Sequence, residues 1–330
     1  MGPKLQRIIT LLSVFVLGSS AHCIDEPVVI DSLLTIASDT TRSFRSRSDA
    51  VKAAAKIDQT GRSDAARVRL LLDHPSPDRM VAAEQTAKRA INKDRKNADY
   101  IGLMCELMWR VGRRSSALQY AERAIKANSL HPIGHYWSGR YHFWETMKYL
   151  NMSRVEINQD TRGYERPHRI EMTEWGEEAM SKAESALRHT LNLEPRHKAR
   201  RYLGLIYYQT QRSIALRELY KPLLKDDPEN PTVYFTLGMS YHLSKNYDRA
   251  YQLYNKGLHQ MSPDEQRFML AVFTDKRVDT TSITPDMETL QRFWTGKNPL
   301  FMSPVNERML EQCRRVAYVN LRYGEPEKGI

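Results

Sequence analysis

Histidines and one nearby glutamate are the residues of this 330-residue chain whose spacing could support chemistry. His131, His135 and His142 fall in one stretch and Glu145 follows, a donor set that could bind a metal or transfer protons. Metal-binding helices usually space their ligands three or four residues apart, as in His-Glu-x-x-His, whereas 142 minus 135 is seven. The spacing therefore favours packed, hydrogen-bonded histidines over a metal site.

Three cysteines and a lack of catalytic motifs restrict the chemistry further. Cys23, Cys105 and Cys313 match no zinc signature, and their odd number leaves at least one thiol outside any intramolecular disulfide. Cys105 lies on an apolar helical face and is predicted to be a small core residue. The sequence has no glycine-rich phosphate loop, no Gly-x-Ser-x-Gly turn and no zincin motif. We predict a protein that is not an enzyme and needs no cofactor and no metal.

Composition and charge favour a globular protein with an anionic partner. With 41% hydrophobic residues the chain is too apolar for intrinsic disorder, and 3 cysteines are too few for a disulfide scaffold. Lys and Arg number 50 against 39 Asp and Glu, which gives a net charge of +11. The basic runs at 42–47 and 198–201 are isolated. They favour attraction to an acidic protein or an anionic envelope surface over nucleic-acid binding.

The N-terminus has the pattern of an export signal. Lys4 and Arg7 precede an apolar run at 8–17, and small residues follow up to Ala21. The run is too short to span a bilayer, which takes about 20 apolar residues. We predict a signal peptide over 1–21 and an exported protein, periplasmic or secreted.

Two further expectations follow from this signal. Lipid attachment at Cys23 is disfavoured, because the residue before it, His22, is not small. Removal of the two basic residues of the signal would lower the net charge from +11 to +9, since 11 minus 2 is 9. The remaining charge is spread over helix surfaces, so it favours solvation and attraction to an anionic surface.

A repeat with a period of 34 residues runs through the middle of the chain. A Leu-Gly-x-x-Tyr motif at 203–207 recurs at 237–241, and 237 minus 203 is 34. An alanine motif at 83–91 recurs at 117–125, again 34 residues later. Each period is predicted to hold two helices, the first with Leu-Gly-x-x-Tyr and the second with alanine. The repeat-defining residues are Ala83, Ala117, Ala183, Leu203, Gly204, Tyr207, Leu237, Gly238, Tyr241 and Ala250.

This pattern resembles the tetratricopeptide repeat (TPR). The resemblance implies an all-α fold, a right-handed solenoid of helical hairpins with a C-terminal helical extension. Glycine in the first helix and alanine in the second would let the two helices of a hairpin approach closely. We expect a repeat array over 64–264, after an N-terminal segment at 22–63 with a helical start. Its units are placed at about 64–97, 98–131, 132–195, 197–230 and 231–264.

The third unit is longer than the others. Its first helix is expected to end near 150 and its second to begin near 174, which leaves an insertion at 151–173 that is polar and contains Gly163 and Pro167. Insertions in helical repeats lie on one face and often bind partners. Long surface loops are also cheap in entropy. Both a binding segment and a tolerated loop extension stay open.

The TPR resemblance implies a concave groove lined by the first helices, and we expect this groove to bind a peptide or protein segment. Residues spaced three, four and seven apart share one helical face, and aromatic side chains flanked by arginine suit such a partner. TPR proteins that grip a C-terminal carboxylate use Lys and Asn at fixed places, and only Lys198 fits, so that partner class is not expected. The groove candidates are Glu106, Trp109, Tyr136, Arg140, Phe143, Arg201, Tyr208, Phe235, Met239 and His242.

The segment at 265–330 carries a second resemblance. Its strings Phe-Trp at 293–294, Asn-Pro at 298–299 and Arg-Arg-Val-Ala-Tyr at 314–318 resemble the opening of the GWxTD domain, found in exported bacterial proteins and often preceded by TPRs. The Gly-Trp-x-Thr-Asp motif does not occur before Ile330, so we expect either a truncated chain or a relative without that module. The resemblance implies a bacterial cell envelope context and no particular reaction.

Local patterns predict the structure of this tail. We expect a loop at 294–299, and then a helix that Ser303 caps and Gly324 ends. Met309, Cys313, Val316 and Ala317 would form the apolar stripe of that helix.

The function that these patterns favour is an exported protein–protein interaction scaffold with its binding site in the TPR groove. The alternative is a cell-envelope enzyme or enzyme accessory with a site in the 151–173 insertion and the C-terminal segment. Stoichiometric zinc would favour that alternative.

Overall fold

The computed structural model consists of helices joined by turns and short loops in the residues that it describes. These are 26–160, 174–262, 265–266, 292, 294–296 and 305–324, with the backbone alone at 149–160. None of them lies in a β-strand, and the predicted all-α class of helical hairpins is confirmed. The helices are α1 (Glu26–Ser38), α2 (Phe44–Ala54), α3 (Arg62–Asp73), α4 (Pro77–Lys93), α5 (Ala98–Arg110), α6 (Arg114–Ala127), α7 (Pro132–Asp160), α8 (Glu174–Leu193), α9 (Ala199–Gln209), α10 (Ser213–Tyr220), α11 (Leu223–Asp226), α12 (Pro231–Leu243), α13 (Tyr247–Gln260) and α14 (Glu307–Tyr323).

Consecutive helices pack in pairs within two compact units. The first unit, up to Asn128, contains the pairs α1–α2, α3–α4 and α5–α6, and the second, from Ser129, contains α7–α8, α9–α10 and α12–α13. We call the earlier member of each pair its first helix. Inside the first unit α1, α3 and α5 pack side by side, and the surface that they form is its first-helix face. The corresponding surface of α9 and α12 is the first-helix face of the second unit.

Small residues let the two helices of a pair lie close together. A Cβ atom at Gly238 would come within 2.6 Å of the Tyr254 ring, and one at Gly139 would come within 2.8 Å of the Leu187 side chain. Both facing side chains are fully buried, so neither has room to move away. The alanines of the second helices are likewise buried in these contacts: Ala83, Ala117, Ala183 and Ala250.

The turns inside three of the pairs, α5–α6, α9–α10 and α12–α13, have left-handed backbone at one position. Gln211 has φ 58° and Lys245 has φ 59°, and the two positions are 34 residues apart (245 minus 211). In the first unit the turn between α5 and α6 places Gly112 there, with φ 81°. A residue with a Cβ atom is strained in this conformation, whereas glycine is not.

The segment at 22–63 contains a complete helix pair from Glu26 onward. Its helices α1 and α2 pack against each other and against α3 through a small apolar core that includes Ala37, Val51 and Leu70. Ser43 caps α2 by accepting a hydrogen bond from the Ser46 N–H at 3.3 Å. This pair lacks the Leu-Gly-x-x-Tyr motif, which is why the sequence pattern alone did not predict it.

The long third unit differs from its expected structure. Helix α7 does not end near 150 but continues to Asp160, so the first part of the 151–173 insertion is helical backbone. The polar sequence without periodicity did not indicate a helix, because it lacks the apolar stripe by which a packed helix is recognised. The rest of the insertion, 161–173, lies outside the described residues.

The C-terminal helix begins later than predicted. Helix α14 starts at Glu307, and its cap is Asn306, whose side-chain oxygen accepts the Met309 N–H at 3.0 Å. Ser303, the predicted cap, lies outside the described residues. Gly324 ends the helix as expected. The predicted loop at 294–299 is wrong at its start, where 294–296 is helical.

Candidate functional site

The first-helix face of the first unit contains a cavity of about 610 Å³. Side chains from α1, α3 and α5 line it, with Arg47 of α2. Its floor is apolar, because Leu70, Leu72 and Leu103 are buried there. Its rim is charged, and Arg69 on the rim is exposed.

Ion pairs neutralise most of the charge around this cavity. The Arg47 guanidinium bonds to the Asp73 carboxylate at 2.8 Å and also donates to the Ala37 carbonyl at 2.8 Å, which joins the first helix pair to α3. The Arg110 guanidinium bonds to Glu106 at 2.6 Å. Arg62 pairs with Asp31.

Arg69 is different from these arginines. Its side chain has no ion pair or hydrogen bond to any residue that the structure describes. The rim therefore offers one cation to a ligand.

Two of the groove candidates belong to this unit, and the structure separates them. Glu106 lines the cavity and is half-buried. Trp109 does not line it, and the Arg114 guanidinium lies 3.9 Å from the centroid of its ring. The indole thus contacts a cation of its own chain.

Sequence reasoning missed other residues of the cavity. Tyr100, Leu103, Asp99 and Arg69 all line it. Asp99 and Leu103 hold the second and sixth places of their repeat, and Arg69 holds the sixth place of the preceding one. The sequence did point to these positions, because they correspond to the ones that bind a carboxylate in some TPR proteins. They were passed over because the residues there are not the Lys and Asn of those proteins.

The aromatic candidates of α7 form a core in the second unit. Tyr136 is 1% exposed, with His197 at 4.6 Å between ring centroids and the Lys198 ammonium 5.2 Å above its ring. Phe143 packs edge-on against Tyr202 at 5.2 Å. The expectation that Tyr136 faces a partner is wrong, because the ring is enclosed between α7 and α9.

Arg140 belongs to the same cluster. Its guanidinium lies 4.9 Å from the centroid of the Trp137 ring and within 3.4 Å of the Tyr136 hydroxyl. Burial raises the pKa of Tyr136 well above its usual range, so its hydroxyl stays protonated and can donate.

Two candidates on α12 are also corrected. Phe235 and Met239 are both 0% exposed. Phe235 packs against Tyr254 of α13, with ring centroids 5.5 Å apart, and a Cβ atom at Gly257 would come within 2.7 Å of its ring. These side chains hold the helix pair together and cannot meet a partner.

Helix α14 covers the remaining candidates. Arg201 donates to the Gly324 carbonyl, and the Tyr208 hydroxyl accepts a hydrogen bond from Arg314. The Tyr208 ring packs 5.1 Å from Tyr318. The first-helix face of the second unit is therefore occupied by a helix of the same chain.

Charges on α14 are arranged around this contact. Hydrogen bonds from Arg314, opposed by burial and supplemented by Arg315, lower the pKa of Glu311 to about 2. Burial, followed by the charge of Arg314, lowers the pKa of His242, which is half-buried beside Glu311 in a cavity at the start of α14. His242 is therefore neutral near pH 7.

The histidines that could have supported chemistry make structural contacts. His135 packs against His189 at 4.1 Å and its Nε2 lies 2.9 Å from the Ser129 carbonyl. Burial, more than the neighbouring His189, lowers the pKa of His135. His142 Nδ1 lies 3.2 Å from Glu145. In the described parts of the chain no three His, Cys, Asp or Glu residues come together as a metal site would require.

The two described cysteines are buried thiols. Cys105 and Cys313 are each 0% exposed and neither is in a disulfide. Burial raises the pKa of both thiols. Cys105 is thus a small core residue, as its helical face predicts.

Comparison with protein-family models finds a match inside the second unit. The model of the Tetratricopeptide repeat family matches residues 214–265, which covers α10 to α13. This stretch is similar to tetratricopeptide repeats. No curated protein sequence matches the chain. Among the helices that the structure describes, none has the length and apolar character needed to cross a membrane.

Several solved structures are similar to the chain at low identity. PilF of Pseudomonas aeruginosa has a TM-score of 0.47 at 14% identity, over 74% of this chain and 98% of its own. A tetratricopeptide repeat protein from Parabacteroides merdae has a TM-score of 0.44 at 12% identity, over 88% and 99%. A TPR protein of Thermus thermophilus has a TM-score of 0.40 at 18% identity, over 62% and 94%. With TM-scores below 0.5, these likenesses say nothing about what this chain binds.

Proposed function

We propose that the protein is a non-enzymatic interaction scaffold that binds an extended protein segment in the first-helix cavity of its first unit. The cavity carries this proposal, because an apolar floor of leucines lies below a charged rim in a volume of about 610 Å³. Apolar side chains of a segment can fill such a floor while its polar groups meet the rim. The TPR match at 214–265 supports the same class of function.

The segment that fits best carries an acidic residue. Arg47, Arg62 and Arg110 are paired with carboxylates of the chain, whereas Arg69 is exposed at the rim without such a partner among the described residues. A carboxylate opposite Arg69 would form a charge-assisted bidentate contact. Leu103 would supply the apolar contact beneath it.

A peptide selection on the full chain tests this proposal. A random displayed peptide library is selected on the wild-type protein, on Arg69→Glu and on Arg67→Glu. Arg67 is the matched control, since it is exposed on the same helix but does not line the cavity. We expect acidic peptides that bind wild type and Arg67→Glu equally and Arg69→Glu at least tenfold more weakly. Equal loss in both variants would mean attraction to the net charge instead of a site.

Export belongs to the same proposal. The signal peptide at 1–21 and a periplasmic or secreted location are supported by the sequence alone, and residues 1–25 lie outside the described ones. Electrostatic attraction to an anionic envelope surface would add a contribution to binding that weakens as the salt concentration rises. N-terminal sequencing of the protein from an expressing bacterium checks whether the signal peptide is removed, and an intact Met1 would contradict its removal.

A further inference from the structure

Helix α14 occupies the second unit's first-helix face in the manner of a bound helix. It lies across α9 and α12, two first helices far from it in the sequence. Met309, Cys313, Ala317 and Leu321, four residues apart, form its buried stripe. Spacing of this kind is how an amphipathic helix presents itself to a groove. Leu321 enters the groove deeply, since its Cδ1 would lie 3.2 Å from a Cβ atom at Gly204.

Polar bonds fix the register of α14 on this face. Arg314 donates to the Tyr208 hydroxyl, and Gln209 donates to the Tyr318 hydroxyl at 3.4 Å. Arg201 holds the end of the helix through the Gly324 carbonyl. On the groove side these contacts use Arg201, Tyr208 and Gln209, which a helix with matching polar groups could also meet.

The fit of α14 is incomplete inside the interface. Gln312 is 1% exposed, yet neither its side-chain oxygen nor its nitrogen has a hydrogen-bond partner among the described residues. In the same part of the structure Asn320 Nδ2, His242 Nδ1 and the Tyr254 hydroxyl are buried without one. Buried polar groups without partners destabilise the docked state, because the same groups bond to water when α14 leaves.

Cavities flank α14 at both ends. One of about 730 Å³ lies beside its first turn, lined by Val305, Leu310 and His242. Another of about 420 Å³ lies beside its last turn, lined by Leu321, Lys198 and Arg200. A helix that had become a permanent part of the core would leave less space around it.

We infer that the first-helix face of the second unit is a docking groove for an amphipathic helix, and that α14 is a displaceable resident of it. The partner helix would carry small or medium apolar residues at every fourth position and an arginine directly after the second of them, to reach Tyr208. The groove is separate from the cavity proposed above for an extended segment. A partner would open the C-terminal segment by replacing α14.

Thiol labelling of the full-length protein tests whether α14 leaves. Cys313 lies on the buried face of α14 and Cys105 lies inside the first unit, so labelling of each with N-ethylmaleimide, located by mass spectrometry, reports one opening event. We expect Cys313 to react at least tenfold faster than Cys105. Arg314→Ala should raise the labelling rate of Cys313 about tenfold further. Arg315→Ala should leave that rate unchanged, because it loses only an exposed ion pair with Glu311. Tyr208→Phe removes the same bond from the other side and should act like Arg314→Ala.

Equal labelling of the two cysteines, or equal effects of the two arginine variants, would overturn the inference and make α14 a fixed part of the fold. Faster labelling of Cys105 than of Cys313 would also overturn it, because α14 would then open less readily than the first unit.

A peptide supplied in trans tests whether the groove accepts a helix. The probe is a fluorescent peptide of residues 305–324 with Cys313→Ala, added to the full chain. We expect saturable binding that speeds Cys313 labelling of the chain, and about tenfold weaker binding after Arg314→Ala in the peptide but not after Arg315→Ala. Absence of saturable binding, even to the Arg314→Ala chain, would overturn the inference.

Discussion

The two units build the same kind of face and leave it in different states. In the first unit the face of α1, α3 and α5 holds a cavity of about 610 Å³ with an exposed arginine at its rim. In the second unit the face of α9 and α12 lies under α14. A helix-pair repeat therefore supplies a surface, and the segments that follow the repeat decide whether the surface is free.

The two faces also differ in the groups to which their arginines bond. In the first unit Arg47 is held by the Asp73 carboxylate of α3, and Arg110 by the Glu106 carboxylate of its own helix. In the second unit Arg201 bonds to a backbone carbonyl at the end of α14, so it anchors an occupant. The same residue type thus shapes the rim of one face and fastens a ligand-like helix to the other.

The largest expected effect comes from a charge under α14. Leu321→Asp would place a carboxylate at a position that is 3% exposed, which costs about 3 kcal/mol or more in the docked state. We expect the amides of α14 to lose protection from hydrogen exchange while those of α5 keep theirs. Val319→Asp on the same helix is the control, since Val319 is 50% exposed. Loss of protection in α5 as well would contradict the separation of the two units.

A smaller effect distinguishes the cores behind the two faces. Gly238→Ala would bring a Cβ atom within 2.6 Å of the buried Tyr254 ring, whereas the corresponding residue of the first unit, Cys105, already has a side chain. The strain of this contact should exceed the gain in helix propensity, so we expect Gly238→Ala to lower the free energy of unfolding by about 1–2 kcal/mol. Cys105→Ala should cost about 1 kcal/mol by deleting one buried atom. Urea unfolding of both variants measures this, and a stabilised Gly238→Ala would contradict the close approach.

The sequence predicted the helix pairs where a local motif repeats. Gly204 and Gly238 fix the period and explain the pairs that contain them, because a first helix can approach its partner only at a small residue. The pair α1–α2 has no such motif, and its core of Ala37, Val51 and Leu70 becomes visible only when the chain is folded. Periodicity within a helix is local information, whereas packing between pairs is not.

The candidate site was harder to predict for the same reason. A helical wheel places Phe235 and Met239 on one face of α12, and Tyr136 and Arg140 on one face of α7, but does not say which element covers each face. Arg201 and Gly324 are 123 residues apart in the sequence, and no spacing rule connects them. The stripe of Met309, Cys313 and Ala317 was predictable, but its receiving groove was not.

Acid is expected to affect the second unit before the first. Burial, followed by the charge of Lys198, lowers the pKa of His197 from 6.5 to about 4. The unfolded chain binds this proton first, so the stability contributed by neutral His197 is complete above pH 6.5 and falls as the pH drops toward 4. In the first unit burial would raise the pKa of Asp58, but hydrogen bonds from Thr60 and Ser63 outweigh it and lower the pKa to about 2. That contribution is complete above pH 3.8 and falls only between 3.8 and 2.

The variant His197→Asn tests the earlier of these two transitions. Its amide oxygen can keep the hydrogen bond that His197 Nδ1 accepts from the Ala199 N–H at 3.0 Å, and it does not titrate. We expect wild type and variant to unfold at similar temperatures at pH 7. At pH 4.5 the variant should be more stable by about 1 kcal/mol, a value reduced for solvent screening of a half-buried group. Parallel losses in both proteins would assign the acid sensitivity to other groups.

The smallest expected effect concerns the left-handed residue in the turns of the two units. Gly112 supplies the left-handed residue between α5 and α6, whereas Lys245 adopts φ 59° between α12 and α13 with the strain of a Cβ atom. Lys245→Gly should therefore stabilise the second unit, by about 0.5–1 kcal/mol once the greater freedom of glycine in the unfolded chain is subtracted. Gly112→Lys should destabilise the first unit by a similar amount. Thermal unfolding of the two variants measures both signs, and a destabilised Lys245→Gly would mean that the lysine side chain supports the turn. Because α12 forms part of the face under α14, a more stable α12–α13 pair should also slow the labelling of Cys313 while leaving that of Cys105 unchanged.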